Sequence, residues 1–361
     1  MNGKNIGFTK AKEGLAHFYV SRDEKISKDL PVFYNPVMKL NRDISILLLD
    51  AYEKSGLQVA DPLAATGVRS IRFLMELGGR KIKSIDINDN DIESIRVIRK
   101  NLGLNRIDKK KVRLNNLEAS IFLLGSSGFD YIDIDPFGTP NPFLDAACKR
   151  ISREGILAIT ATDTAALCGT ARQACIRKYW AVPNKGPIMH ELGLRILIRK
   201  VQLIGAQFEK ALIPVFSYSK DHYMRVFLRN FKGKGKVDFL LSNHQFFDGA
   251  GPLWTGKLWD ASLCDRMYKK SLANNLFSKD GQLIKFLKII KEESNINSIG
   301  FHDIHYICEK LKIKEALSKD IIKSKIKKSG YMVSDTHFKG EGIRSNIPHE
   351  DLIKILKNRK K

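Results

Sequence analysis

Between Gln58 and about Ile159, short apolar runs and turn-forming residues alternate with stretches whose apolar positions recur every three to four residues. A short apolar run fits a strand covered on both faces, and the three-to-four spacing fits an amphipathic helix. The strands so predicted are Leu57 to Ala60, Lys83 to Ile87, Lys111 to Leu114, Tyr131 to Ile134 and Ile156 to Thr160. The helices between them are Val68 to Leu77, Asp91 to Leu102, Glu118 to Leu124 and Pro142 to Ile151, and a further helix from Asn41 to Lys54 precedes the first strand. This β-α-β-α rhythm predicts a parallel sheet with helices on both faces, an α/β fold.

Beyond it, His190 to Phe208 reads as a long helix, followed by two β-rich runs, Ala211 to Tyr218 and Tyr223 to Phe231. They are separated by Ser219-Lys220-Asp221-His222, so an antiparallel pair is expected to close one edge of the sheet. Lys232-Gly-Lys-Gly-Lys236 reads as a mobile basic loop, and the domain boundary is placed there or shortly after, within Lys232 to Pro252. The expected division is a first domain over 1–240, with an N-terminal extension, and a second over 241–361; a chain of 361 residues is long enough for two cores. From about Gly281 the chain is helical and Lys-rich, Ile321 to Lys328 alternates Ile and Lys, a strand is expected at Tyr331 to His337, and a last helix starts at His349. The second part is thus expected to be a smaller, basic α+β domain, and no internal repeat is found.

Charge adds a partner class. There are 62 Lys and Arg against 39 Asp and Glu, a formal net charge of +23, which points to a polyanion unless it is a solvated lysine-rich surface. Charge alone does not name that partner. No apolar run is long enough to cross a membrane, and Met1 to Gly14 has no apolar secretory core, so a cytoplasmic protein is expected. The five cysteines, Cys148, Cys168, Cys175, Cys264 and Cys308, are odd in number and form no CxxC pair, which fits reduced thiols; no metal site is expected.

Two constellations carry chemistry. Asp61-Pro-Leu-Ala-Ala-Thr-Gly67 spans the end of the first strand and the start of a helix, where small residues let a ligand approach free backbone N–H groups. Nineteen residues after Gly67 comes Asp86, at the end of the second strand, where a carboxylate can hold both hydroxyls of a ribose, although a helix-capping role is the alternative. The loop lacks GxGxxG, which disfavours a dinucleotide and favours a nucleoside cofactor without phosphates. The second constellation, Asp133-Ile-Asp135-Pro-Phe-Gly138, ends the fourth strand at the carboxyl edge of the same sheet. An exocyclic amine is a poor nucleophile because its lone pair is delocalised into the ring, so its alkylation needs an acceptor that orients the N–H and takes a proton. Asp135 can do this, with the Pro136 carbonyl as second acceptor, and Phe137 offers a flat face for a base. The alternative is an Asp-Pro turn beside a core Phe.

With these residues assembled, the chain resembles the tRNA guanine-26 N2-dimethyltransferase family. The resemblance rests on Pro31-Val-Phe-Tyr-Asn-Pro36, Asn41-Arg-Asp43, Ala64-Ala-Thr-Gly-Val-Arg69, Asp133 to Gly138, Thr160-Ala-Thr-Asp-Thr164, Leu167-Cys-Gly169 and Lys220-Asp-His-Tyr223. It spans roughly Pro31 to Leu258 and extends more loosely to Thr336-His337 and Gly342. It implies a Rossmann-like class I methyltransferase sheet, S-adenosyl-L-methionine as cofactor and tRNA as partner, with no obligate protein partner. It further implies that Arg42, Arg69, Asp86, Glu118 and Ala119 contact the cofactor beside the Asp61 to Gly67 loop, that Asp135 is the catalytic acid, and that Phe33 and Phe137 hold a flipped guanine. The Asn115 to Ser120 segment is less acidic than the family pattern, and Asn243 to Asp248 stands where many relatives carry a Cys cluster, so zinc is not expected.

His190, His222 and His244 have no ligand spacing and read as structural; Trp180, Trp254 and Trp259 are divided between core and RNA contact. Two other readings stay open from sequence: methylation of another RNA or DNA base, and a non-catalytic RNA-binding protein built on the same shell.

Overall fold

The computed structural model describes residues 7–21, 32–313 and 317–357. Residues 1–6 of the segment read for targeting, and Pro31 of the Pro31 to Pro36 motif, lie outside the described residues.

The chain opens on an antiparallel hairpin, β1 (Phe8–Glu13) and β2 (Ala16–Ser21), that has no strong sequence signal. Then come α1 (Lys39–Ala51), β3 (Leu57–Asp61), α2 (Val68–Glu76), β4 (Ile82–Asn88), α3 (Ile92–Leu104), β5 (Val112–Asn115), α4 (Ala119–Leu124), β6 (Phe129–Ile134), α5 (Asn141–Arg150) and β7 (Ile151–Ala161). Two short helices, α6 (Thr164–Leu167) and α7 (Arg172–Tyr179), and the long α8 (Met189–Ala206) lead to β8 (Lys210–Lys220) and β9 (Tyr223–Lys232). Seven strands form one sheet in the order β5-β4-β3-β6-β7-β9-β8, parallel from β5 to β7 and antiparallel at β9 and β8. The expected parallel sheet and antiparallel edge pair are therefore both present. The strand order reverses between β3 and β6, which leaves a crevice at their carboxyl ends.

Burial explains why these segments are strands. Tyr131, Ile132, Asp133 and Ile134 of β6, and Ile156 to Ala161 of β7, are buried without alternation, as central strands covered on both faces must be. The N-terminal hairpin is held mainly by other means. Ala16 and Phe18 pack on Val68 and Ile71, while the N–H groups of Tyr19 and His17 donate to the Asn101 and Asn105 side chains at 2.7 and 2.9 Å.

Downstream lie α9 (Lys234–Ser242), β10 (His244–Phe247), β11 (Ala250–Trp254), α10 (Ala261–Ala273) and α11 (Gly281–Glu293). The chain ends with β12 (His302–Asp303), α12 (Ile304–Lys310), α13 (Lys319–Lys328), β13 (Val333–Asp335), β14 (Gly342–Ser345) and α14 (His349–Lys357). The basic loop expected at Lys232 to Lys236 is a correction: helix α9 starts at Lys234, because Val237 and Leu240 give the segment a buried stripe that outweighs its two glycines. The main core runs from Ile44 to Phe301 without a break at residue 240, and a second cluster from Ile304 to Leu356 forms around α12, α13 and α14.

Candidate active site

The crevice between β3 and β6 opens into a cavity of about 1020 Å³. Its floor is the turn after β3, where small side chains leave backbone accessible: Leu63, Ala64, Ala65 and Thr66 line it. Gly67 caps α2 with a left-handed backbone (φ 73°), and a Cβ there would press within 3.2 Å of Ile98, so both conformation and close packing on α3 require glycine. Gly67 itself does not line the cavity.

Asp135 follows β6 directly, and its carboxylate is set by Arg69 from the first turn of α2. Arg69 is nearly buried. One terminal nitrogen donates to Asp135; the other reaches Asn41 and Ser45 at 3.0 and 3.1 Å and lies 3.3 Å from Asp133. Asp133, fully buried, is held by Arg225 at 2.7 and 3.0 Å and accepts the Tyr131 hydroxyl at 2.6 Å. Burial alone would raise the Asp133 pKa, but Arg225 and Arg69 outweigh it and keep the carboxyl below its ordinary range. Asp61, which accepts from Ser70 at 2.7 Å, is the opposite case: burial lifts it to about 7, with Arg69 opposing and Asp133 adding to the rise.

Phe137 projects from the rim, 55% exposed, and its ring meets Phe33 edge to face at 4.5 Å. The Phe137 turn is pinned from behind: the Gly138 N–H donates to the Thr162 hydroxyl at 2.7 Å and the Thr162 N–H to the Gly138 carbonyl at 2.9 Å. Arg42 enters from α1 and is fixed by Glu13 of β1 at 2.7 and 2.5 Å and by the Asn35 carbonyl at 3.1 Å. The N-terminal hairpin thereby becomes part of the cavity wall.

The sequence-derived candidates divide in two. Phe33, Arg42, Asp61, Arg69, Asp135 and Phe137 converge on the cavity. Asp86, Glu118 and Ala119 do not line it: Asp86 pairs with the exposed Arg113 at 2.8 Å, Glu118 caps α4 through the N–H groups of Ser120 and Ile121 at 2.8 and 3.0 Å, and Ala119 is buried. Residues without an assigned role from sequence fill the remaining walls. Asp89 accepts the Ala65 N–H at 2.8 Å, and Tyr34, Asn35, Thr162 and Tyr223 lie beside the named candidates. Four of these stand in the motifs read as Pro31 to Pro36, Thr160 to Thr164 and Lys220 to Tyr223, which was the available signal; Glu13 and Asp89 had none. Among the described residues, no group of three or more His, Cys, Asp or Glu is placed to hold a metal ion, and no helix is long and apolar enough to cross a membrane. His190 contacts the Cys168 thiol at 3.4 Å, and His244 pairs with Gln202 at 2.8 Å.

The family model described as N2,N2-dimethylguanosine tRNA methyltransferase matches residues 14–249 and 241–357. The chain belongs to this family. Among N2,N2-dimethylguanosine tRNA methyltransferase relatives, it is 36% identical over 96% of its length to a protein of Aquifex aeolicus named tRNA (guanine(26)-N(2)/guanine(27)-N(2))-dimethyltransferase, of which 95% is covered. It is 35% identical, over 96% of this chain and 95% of the relative, to the tRNA (guanine(26)-N(2))-dimethyltransferase of Methanosphaera stadtmanae. The structure of Trm1 from Pyrococcus horikoshii in complex with S-adenosyl-L-methionine superposes with a TM-score of 0.87 at 33% identity, covering 97% of this chain and all of that one. The sheet is thus that of a class I methyltransferase.

Proposed function

We propose that this chain transfers one or two methyl groups from S-adenosyl-L-methionine to the exocyclic N2 of guanine 26 in tRNA, in the cytoplasm and without an obligate protein partner. The observation that carries this reading is the meeting of Asp135, Phe137 and Phe33 at one cavity on the carboxyl edge of the sheet.

The cavity fits the cofactor. In a chain of net charge +23, this hollow is lined by Asp89, Asp91, Glu93 and Asp221, while its two arginines are neutralised by Glu13, Asp133 and Asp135. That balance suits a cationic sulfonium. Residues Ala64 to Thr66 give the backbone access a nucleoside needs, and Arg42, Arg69 and Asp61 are assigned to hold the cofactor. Asp86, Glu118 and Ala119 are assigned to its ribose and adenine end; for Asp86 this requires Arg113, which is mostly in solvent, to release the carboxylate. When bound, S-adenosyl-L-methionine would supply an electrophilic methyl group, its sulfonium–methyl bond breaking as the new bond forms and the neutral thioether leaving.

The chain's residues supply the rest. A guanine flipped from the tRNA stacks on Phe137 and is bounded by Phe33, at a cost of a few kcal/mol of lost stacking. Arg69 engages one oxygen of Asp135 and leaves the other to accept an N2 hydrogen, which orients the amine lone pair. As the N–C bond forms, the N2 proton passes to Asp135, contributing about 10² to 10⁴ in rate. The segment 241–361 grips the tRNA body through phosphate contacts, so affinity falls steeply with salt.

The test is transfer of labelled methyl to unmodified tRNA transcripts by wild type and Asp135→Asn, with the product mapped by nuclease digestion and mass spectrometry. N2-methylated guanine at position 26, lost in the variant, is the expected result. The same map reads position 27, which the name of the Aquifex relative includes. Label on another base, or none with cofactor bound, would sink the assignment.

A further inference from the structure

No Asp or Glu occurs between Asp163 and Glu191, and the charged residues in that stretch, Arg172, Arg177, Lys178 and Lys185, are all cationic. Most of them sit on α7, which buries Cys175 and Tyr179 and turns Arg172, Gln173, Arg177 and Lys178 to solvent. Lys178 reaches Asp163 at 3.3 Å, but no carboxylate pairs with Arg172 or Arg177 among the described residues.

The helix ends on Trp180, whose backbone is left-handed (φ 56°), a strained conformation for a bulky side chain. The strain is held in place: the Trp180 carbonyl accepts from Arg199 at 3.1 Å, and the Lys200 ammonium lies 2.9 Å from the indole centroid. Lys200 is 5% exposed and has no carboxylate partner among the described residues, and burial together with Arg199 brings its pKa down to about 8. Yet Trp180 is 50% exposed, whereas Trp254 and Trp259 are each 5% exposed. A cation-backed indole held in solvent is what a base-stacking platform requires.

The position of α7 connects this platform to the cavity. The Tyr179 hydroxyl donates to Asp163 at 2.6 Å and accepts from the Thr139 hydroxyl at 3.1 Å, and the Asn141 side-chain amide donates to the Lys178 carbonyl at 2.8 Å. Thr139 lines the cavity two residues after Phe137. We propose that α7 and Trp180 form an RNA shelf at the cavity rim, with Trp180 stacking a base of the strand that carries the target guanine and Arg172 and Arg177 contacting its phosphates. The inference rests on the tRNA methyltransferase reading and adds where the strand lies. Unpaired cations without acids favour a polyanion over a protein partner.

The test uses the full chain with S-adenosyl-L-methionine and an unmodified tRNA transcript. Trp180→Ala should weaken tRNA binding about 5- to 100-fold while cofactor affinity stays unchanged. Arg172→Gln combined with Arg177→Gln changes two exposed, unpaired residues, so the fold is kept; the slope of log K against log salt should fall in magnitude by about 1.4 to 1.8. Wild-type tryptophan fluorescence should be quenched by tRNA, and Trp180→Phe should lose the quenching but keep most of the affinity. Wild-type affinity and salt slope in both variants, without quenching in the wild type, would overturn the shelf and show the strand elsewhere. Absence of tRNA binding by the wild type would overturn the functional reading first and the shelf with it.

Discussion

Arg69 and Asp135 form an ion pair in which the arginine is buried and the carboxylate stands at the cavity edge, 21% exposed. The arginine cannot turn away, because its other terminal nitrogen is tied to Asn41 and Ser45. The carboxylate therefore has one fixed oxygen and one free oxygen, which suits an acceptor that must meet an amine in a single geometry. Asp135→Asn keeps the shape and removes the acceptor charge, so the methyl-transfer rate in a single turnover should drop about 10² to 10⁴-fold. Arg69→Ala removes the anchor and leaves Asp133 and Asp135 less compensated, at a cost on the order of 3–5 kcal/mol in stability. Single-turnover rates beside urea unfolding separate the two; equal losses of stability in both variants would contradict the assigned roles.

The Phe33–Phe137 pair makes a different prediction. Phe137 is more than half in solvent, so Phe137→Ala should cost the fold only about 0.5–1.5 kcal/mol, the scale of an aromatic pair. As a stacking face it should matter more, lowering kcat/KM for tRNA about 5- to 100-fold while cofactor affinity is unchanged. Because the two rings touch, the Phe33→Ala, Phe137→Ala double variant should lose less than the sum of the single losses. Steady-state kinetics on the three variants check this.

The sheet and the cavity floor were legible in the sequence because both leave local marks. Central strands read as apolar runs, and a ligand loop reads as small residues after a strand, so β3 to β7, Asp61 and Asp135 could be placed beforehand. The wall containing Arg42 was not legible, since it depends on Glu13 in a hairpin whose strand pattern is weak and whose partner lies 29 positions away. Helix α9 was misread for a related reason: the glycines in Lys232 to Lys236 are local, whereas the contacts that bury Val237 and Leu240 are not.

Glu13 carries the third prediction. Burial would raise its pKa, but Arg42 and Arg72 reverse this and hold it near about 2 instead of 4.5. The folded state thus binds fewer protons than the unfolded state between those values. The associated stability is complete above about pH 4.5 and disappears as pH falls through 2. Relative to wild type, Glu13→Gln should lose roughly 3 kcal/mol at pH 7, with the gap narrowing steadily below pH 4.5. Urea midpoints at pH 7, 5 and 3 give the comparison; a gap independent of pH would mean that Glu13 acts by packing alone. The variant also frees Arg42, so cofactor affinity should fall with it.

The last prediction concerns the join between the two cores. Arg344 of β14 donates to Glu191 of α8 at 2.5 Å and to Glu293 of α11 at 3.0 Å, and its remaining nitrogen donates to the carbonyls of Ser298 and Gly300 at 3.0 and 2.9 Å. Glu293 is further held by His337 and Thr336 at 2.5 and 2.6 Å. Burial would raise the Glu293 pKa, but His337 and Arg344 lower it to about 2, so both glutamates are charges that must be matched where they stand. Arg344→Met keeps the bulk and removes the charge, leaving Glu191 to Arg195 and Glu293 to His337. A broken buried pair costs on the order of 3–5 kcal/mol, so thermal unfolding should occur several degrees lower. None of Glu191, Glu293, Thr336, His337 and Arg344 lines the cavity, so cofactor affinity at 25 °C should be unchanged. Loss of tRNA affinity without loss of cofactor affinity is the expected pattern, because phosphate contacts assigned to 241–361 depend on how that segment is held. Equal loss of both would place the cluster in the catalytic machinery itself.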